Sequence, residues 1–191
     1  MKLTRDDLWS LEEYAECRED FRKHVIEHKK NRQVYLGAHA TLYFEDTTTM
    51  KYQIQEMLRV EKIFTANEIE EELSAYNPLI PDGTNLKATF MIEYPDVEER
   101  RAALSRMQGI EHRVWVQIGD HDRVYATANE DLDRSNESKT AAVHFLRFEL
   151  SAPMRADTTS QIRMGIDHAE LPYEVTLDPA VAASLRGDFE D

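Results

Sequence analysis

The sequence predicts an α+β fold, a mostly antiparallel sheet of about five to six strands covered by helices. Capped segments with helical periodicity are mixed with segments in which apolar and polar residues alternate. Two of the alternating segments, Val114/Val116/Ile118 and Val124/Ala126/Ala128, are separated by a stretch containing Gly119-Asp120-His121-Asp122, the strongest hairpin signal in the chain.

Thr4, with Asp6 and Asp7 in the first turn, can cap a helix running to about Lys30. Tyr14, Cys17, Phe21, Val25 and His28 recur on its apolar face at spacings of three and four. Val34 to Phe44 is β-branched and aromatic, a strand interrupted or bent near Gly37. Asp46 starts a second helix whose inner face is marked by Met50, Ile54, Met57, Leu58 and Glu61, with Val60, Ile63 and Phe64 extending the apolar surface at its end. Asn67 and Glu70 have capping-box spacing for a third helix, which Asn77-Pro78 and Pro81-Asp82-Gly83 stop.

Lys87 to Tyr94 reads as a strand with Ala88, Phe90, Ile92 and Tyr94 on one face. Asp96 and Glu99 open a helix that turns Val97, Leu104 and Met107 inward and ends at Gly109. Asn129 to Thr140 is a polar loop or short helix, Ala141 to Leu150 is a strand, and Gln161 to His168 is its expected partner. In the tail, Asp178 caps a short helix with Pro179 in the first turn. No linker or repeat divides the chain. One domain over 1–191 is expected, with an N-terminal helix (1–33), a sheet with helices (34–168) and a C-terminal tail (169–191).

The 191 residues carry 23 Lys+Arg against 37 Asp+Glu, a net charge of −14, which disfavours sequence-independent nucleic-acid binding. A chain of this size can bury roughly 70% of its unfolded surface, enough for an ordinary core. The single cysteine, Cys17, excludes an intramolecular disulfide and a cysteine-only metal site, so the cytoplasm is the expected compartment. No apolar run approaches a membrane span, and the polar start is unlike a signal peptide.

No phosphate-binding glycine loop, serine elbow or paired-cysteine motif is present. Tyr52, Gln53, Glu56 and Arg59 form a polar stripe on helix two, where Glu56 is a candidate base or ligand and Arg59 orients it or binds an anion; an intrahelical ion pair is the plainer reading. Strict alternation turns His144 and His168 towards apolar faces. If their strands pair beneath helix two, Glu56, His144 and His168 meet, with His39, Glu45 or Glu93 as further ligands. Such a nitrogen and oxygen set suits iron, manganese or zinc, against the plainer reading of satisfied core histidines. Lys29, Lys30 and Arg32 suit the negative pole of a helix end or, alternatively, an anion site.

The strings HKKNR (His28 to Arg32), LGAHATLYFED (Leu36 to Asp46), YQIQEMLRVEKI (Tyr52 to Ile63), AYNPLIPDG (Ala75 to Gly83), EYPDVEERR (Glu93 to Arg101) and VHFLRFEL (Val143 to Leu150) are similar, in order, to the bacterial domain of unknown function family 3501. Ala38 departs from that pattern, which leads one to expect proline there. The resemblance implies an association with iron-dependent redox or peroxide-stress proteins, of the rubrerythrin-like or iron–sulfur oxidoreductase kind, and transfers no catalytic residues. The leading expectation is therefore an accessory or interaction protein, the alternatives being a His/Glu metal protein and a small-anion or nucleotide-binding module.

Overall fold

A computed structural model describes residues 2–130 and 139–189, and residues 131–138 of the expected polar loop lie outside that description. The N-terminal segment does not form the single helix from Thr4 to Lys30 that the sequence predicts. Thr4 and Asp7 cap each other across a single 3-10 turn, Arg5–Asp7, and helix α1 (Leu11–Lys29) starts afresh at Ser10 with a Ser10/Glu13 capping box. The break has a distant cause. The fully buried Gln55 side chain accepts from Trp9 N at 2.7 Å and donates to Trp9 O at 3.3 Å, satisfying backbone groups that a continuous helix would have used. Asn77 holds Leu3 in the same two-point way, at 2.8 and 2.9 Å.

The bend at Gly37 is a hairpin turn. Strand β1 (Gln33–Tyr35) pairs antiparallel with β2 (Ala40–Phe44), and Gly37 takes φ +85°, a conformation open to glycine at little cost. Helix α2 (Thr47–Glu61) is capped by Asp46 as expected and ends at Lys62 in the left-handed region. Helix α3 (Ala66–Tyr76) starts two residues earlier than the predicted capping box, behind Thr65, whose hydroxyl bonds Glu68. Strand β3 (Asn85–Ile92) follows, and then α4 (Val97–Arg106), capped by Asp96. Leu104 and Met107 are buried as expected, with Ala103 beside them, whereas Val97 is exposed, contrary to expectation.

The remaining strands divide between two antiparallel sheets. The hairpin of β4 (Val114–Ile118) and β5 (Val124–Tyr125) forms as predicted, but the chain changes sheets at buried Ala126, and β6 (Thr127–Ala128) pairs with β7 (Val143–Glu149). After the short helix α5 (Ala152–Ala156), strand β8 (Ile162–Ile166) pairs with β4 and with β9 (Tyr173–Thr176), not with β7. The sheets are thus β1-β2-β3-β7-β6 and β5-β4-β8-β9. A strand that bends from one sheet to the other is the way two packed sheets share a corner.

The inner faces build the main core. Phe44, Phe90 and Phe148 of the first sheet meet Val116, Ile118 and Met164 of the second, and helix α6 (Pro179–Arg186), capped by Asp178 as expected, adds Ala182 and Leu185. A separate cluster of Leu3, Met50, Ile54, Leu58, Leu73 and Ile80 ties α2 and α3 to the N-terminal segment. Among the described residues no helix is long and apolar enough to cross a membrane.

Candidate functional site

The polar stripe of α2 is closed over by α1. Tyr14 Oη and Arg18 Nε both donate to Glu56 Oε1 at 2.7 Å, while Arg18 Nη2 and Arg59 Nη2 donate to Oε2 at 3.0 and 3.2 Å. All the lone-pair sites of the carboxylate are taken. The Arg18 fork, followed by Tyr14 and Arg59, overcomes the cost of burial and holds the Glu56 carboxyl down at about 2. Tyr14 responds oppositely, because its burial and the neighbouring carboxylate push the phenol well above its ordinary range. Tyr52 packs against Phe21 with ring centroids 6.0 Å apart, and Gln53 lies half-buried beside it. The predicted Glu56–Arg59 pair is present, but the cluster fastens two helices and leaves the carboxylate a poor base at neutral pH.

The histidines do not join it. His144 is fully buried, with the Asn129 amide donating to Nδ1 at 3.0 Å, while Ala141 O and Thr140 Oγ1 lie 3.0 and 2.9 Å from Nε2. With Nδ1 accepting, Nε2 carries the proton that the Ala141 carbonyl accepts, so this is a neutral core imidazole. His168 lies past the end of β8, in the other sheet, with Nε2 3.3 Å from Gln108 O. His39 stacks on Tyr94 with centroids 4.0 Å apart and donates from Nδ1 to Glu93 O. The Glu93 carboxylate accepts from Thr41, and Glu45 accepts from Thr49 and Thr89. Among the described residues no three His, Cys, Asp or Glu side chains stand where they would hold a metal ion, so the anticipated convergence of Glu56, His144 and His168 does not form. It depended on β7 pairing with β8.

Lys29, Lys30 and Arg32 separate as well. Lys30 pairs with Glu27, and Lys29 lies 6.0 Å from the Tyr52 ring centroid. Arg32, only 2% exposed, grips Asp188 through Nη1 at 3.1 Å and Nη2 at 2.7 Å, and donates to the carbonyls of Phe44 and Glu45 at 3.0 Å each. Asp46 lies 3.3 Å from Arg32 Nε and 2.5 Å from His28 Nε2. The guanidinium is a bolt between the C-terminal segment and the end of β2. Burial raises Asp188 to about 6 even against the pull of Arg32.

Among the described residues, a shallow concavity of about 590 Å³ lies beside His39, Met91 and Tyr94, and two further concave surfaces stand out. On the outer face of the larger sheet, β3 and β7 form the floor of a groove walled by Pro78 and Leu79, with an apolar chamber of about 310 Å³ over Phe145 and a polar one of about 510 Å³ beside Asn85 and Glu149. Lys87 and Arg147, cross-strand partners, line both. At the α2–α3 corner, a cleft of about 250 Å³ is lined by Leu8, Trp9, Leu58, Ile63 and Ile69, and Phe64 stands at its edge with 75% of its surface exposed.

The sequence profile of a family described as protein of unknown function (DUF3501) matches residues 2–189. The chain belongs to the DUF3501 family. It is also similar to a protein of unknown function from Burkholderia pseudomallei K96243, known from a crystal structure. That protein is 52% identical, with a TM-score of 0.94 over 100% of both chains. No curated protein matches the chain.

For this DUF3501 chain, the residues that sequence reasoning missed are the partners supplied from elsewhere. Tyr14 stood among the apolar positions of α1, and nothing in its spacing joins it or Arg18 to a carboxylate 42 and 38 positions away. Lys87, Asn85 and Arg147 are ordinary outward or edge residues of strands until β3 and β7 are paired. Phe64 was legible as an apolar residue at the end of a helix, but its exposure was not.

Proposed function

We propose that this DUF3501 protein is an accessory protein of the cytoplasm, without catalysis of its own, that docks on an iron-containing redox protein through the α2–α3 corner. The observation that carries the reading is Phe64. A phenyl ring three-quarters in water, next to Val60 at 58% exposure and an apolar cleft, costs solvation that a partner's surface would recover. Single aromatic anchors of this kind dominate the binding energy of many interfaces. The iron-dependent partner, rubrerythrin-like or an iron–sulfur oxidoreductase, is what the family resemblance implies. The main candidate acid and the candidate buried cation, Glu56 and Arg32, are consumed by the scaffold, which leaves recognition as the use of the surface.

Affinity capture from the source cells tests this, with the wild-type chain and Phe64→Asp as parallel baits and iron measured in the recovered fractions. The wild type is expected to retain an iron-bound redox protein, and Phe64→Asp to retain roughly a tenth as much or less, the loss expected for a hot-spot residue. Equal recovery on both baits, or no redox protein on either, overturns the proposal.

A further inference from the structure

We infer that the groove between Pro78–Leu79 and strands β3 and β7 binds a small organic acid with an apolar body and a donor group beside its carboxylate, an α-hydroxy or α-amino acid. Among the described residues every acid lining the groove is committed: Glu130 and Glu149 to Arg147, Asp82 to Thr84 and Asn85, and Glu45 to Thr49 and Thr89. Arg147 is held by those two acids, with three contacts at 2.6–2.8 Å.

Lys87 is different. Its ammonium donates to the Pro78 carbonyl at 2.5 Å and, among the described residues, has no carboxylate within ion-pair distance. Burial lowers its proton affinity against the attraction of Asp82 and Glu130, with Arg147 and Lys2 adding repulsion. A half-buried cation with spare N–H donors is the group an incoming carboxylate relieves.

Asn85 supplies the second feature. It is 1% exposed, its Nδ2 is engaged by Asp82, and its buried Oδ1 has no hydrogen-bond partner. An unmet buried acceptor calls for a donor. Asn85 and Lys87 lie two residues apart on β3, so they face the same side, and both line the polar chamber. The apolar chamber over Phe145 and Leu79 lies across Lys87 from Asn85 and takes the body of the acid. A concave apolar site with a few convergent polar groups is the usual form of a small-molecule pocket.

The test is a titration of the full-length, isotope-labelled chain followed by amide NMR, with 3-phenyllactate, L-phenylalanine, 3-phenylpropanoate and 2-phenylethanol as probes. Either α-substituted acid is expected to shift the amides of Lys87, Phe145 and Arg147 saturably, and the tighter of the two assigns the donor as hydroxyl or ammonium. The unsubstituted acid is expected to bind more weakly, and the neutral alcohol about tenfold more weakly or worse. Lys87→Met keeps the aliphatic stem and is expected to abolish the preference for acids, and Lys87→Arg to restore it. The inference is overturned if no acid saturates below about 10 mM, if the alcohol matches the acids, or if Lys87→Met binds them unchanged. None of these outcomes bears on docking at Phe64.

Discussion

The indole of Trp115 covers Gly165, its cross-strand partner between β4 and β8. A Cβ at position 165 would stand 2.5 Å from Trp115 Cζ2 and 2.3 Å from the Tyr173 carbonyl oxygen. The missing side chain is what lets a buried tryptophan lie across the strand and lets β9 approach from the other side. The Arg123 guanidinium, 3.8 Å from the ring centroid, adds a cation–π contact.

Gly165→Ala is therefore expected to destabilise the fold by about 1–3 kcal/mol, the usual cost of overpacking, because one of the two obstacles is backbone and cannot rotate away. Urea unfolding monitored by tryptophan fluorescence checks this. A lowered midpoint with an unchanged slope is the expected result, and an unchanged midpoint would show that the strands part without cost.

The Tyr14–Glu56 contact makes a prediction with a definite pH window. Glu56 is depressed in the fold from an ordinary 4.5 to about 2, so its contribution is fully present above about 4.5 and is lost as pH falls through about 2. Tyr14→Phe removes one of the donors that hold the carboxylate charged. At neutral pH it is expected to cost about 1–2 kcal/mol, a charge-assisted hydrogen bond discounted for partial exposure of the acid. The cost must shrink as pH falls from 4.5 towards 2, since Glu56 then takes up its proton with or without the phenol. Denaturant midpoints of both proteins at a series of acidic pH values decide it. A pH-independent difference would assign the loss to packing of the ring alone.

What was legible in the sequence follows from the range of the interactions. Asp46, Asp96 and Asp178 cap their helices by bonding amides two or three residues on, so each start was readable from a few letters. The alternation of Ala88, Phe90 and Ile92 and of His144, Leu146 and Phe148 gave the buried faces of β3 and β7, because a pleated strand fixes which side each residue takes. Alternation does not say which strand lies alongside. Pairing β7 with β8 satisfied the same pattern as the actual pairing with β3 and β6, and that one choice separates a metal site from two unrelated histidines. The break before α1 was illegible for a similar reason, since Gln55 makes it from 46 residues away.

The bolt between Arg32 and Asp188 gives the last prediction, with the opposite sign. Burial, reinforced by Asp46 on the same guanidinium, raises the Asp188 carboxyl from an ordinary 3.8 to about 6. A group raised in the fold stabilises most when protonated. Its contribution is complete below about 3.8 and is lost as pH rises through about 6. Asp188→Asn keeps the shape and removes the titration. The stability of the wild type relative to Asp188→Asn is therefore expected to decline steadily between about pH 4 and pH 6 and to level off above it. Paired urea unfolding curves measure the difference directly, and because the other groups are common to both proteins their titrations largely cancel. A difference that grows with pH over this interval would mean that Arg32 outweighs burial and holds Asp188 below its ordinary range, making the bolt an ion pair that tightens on ionisation.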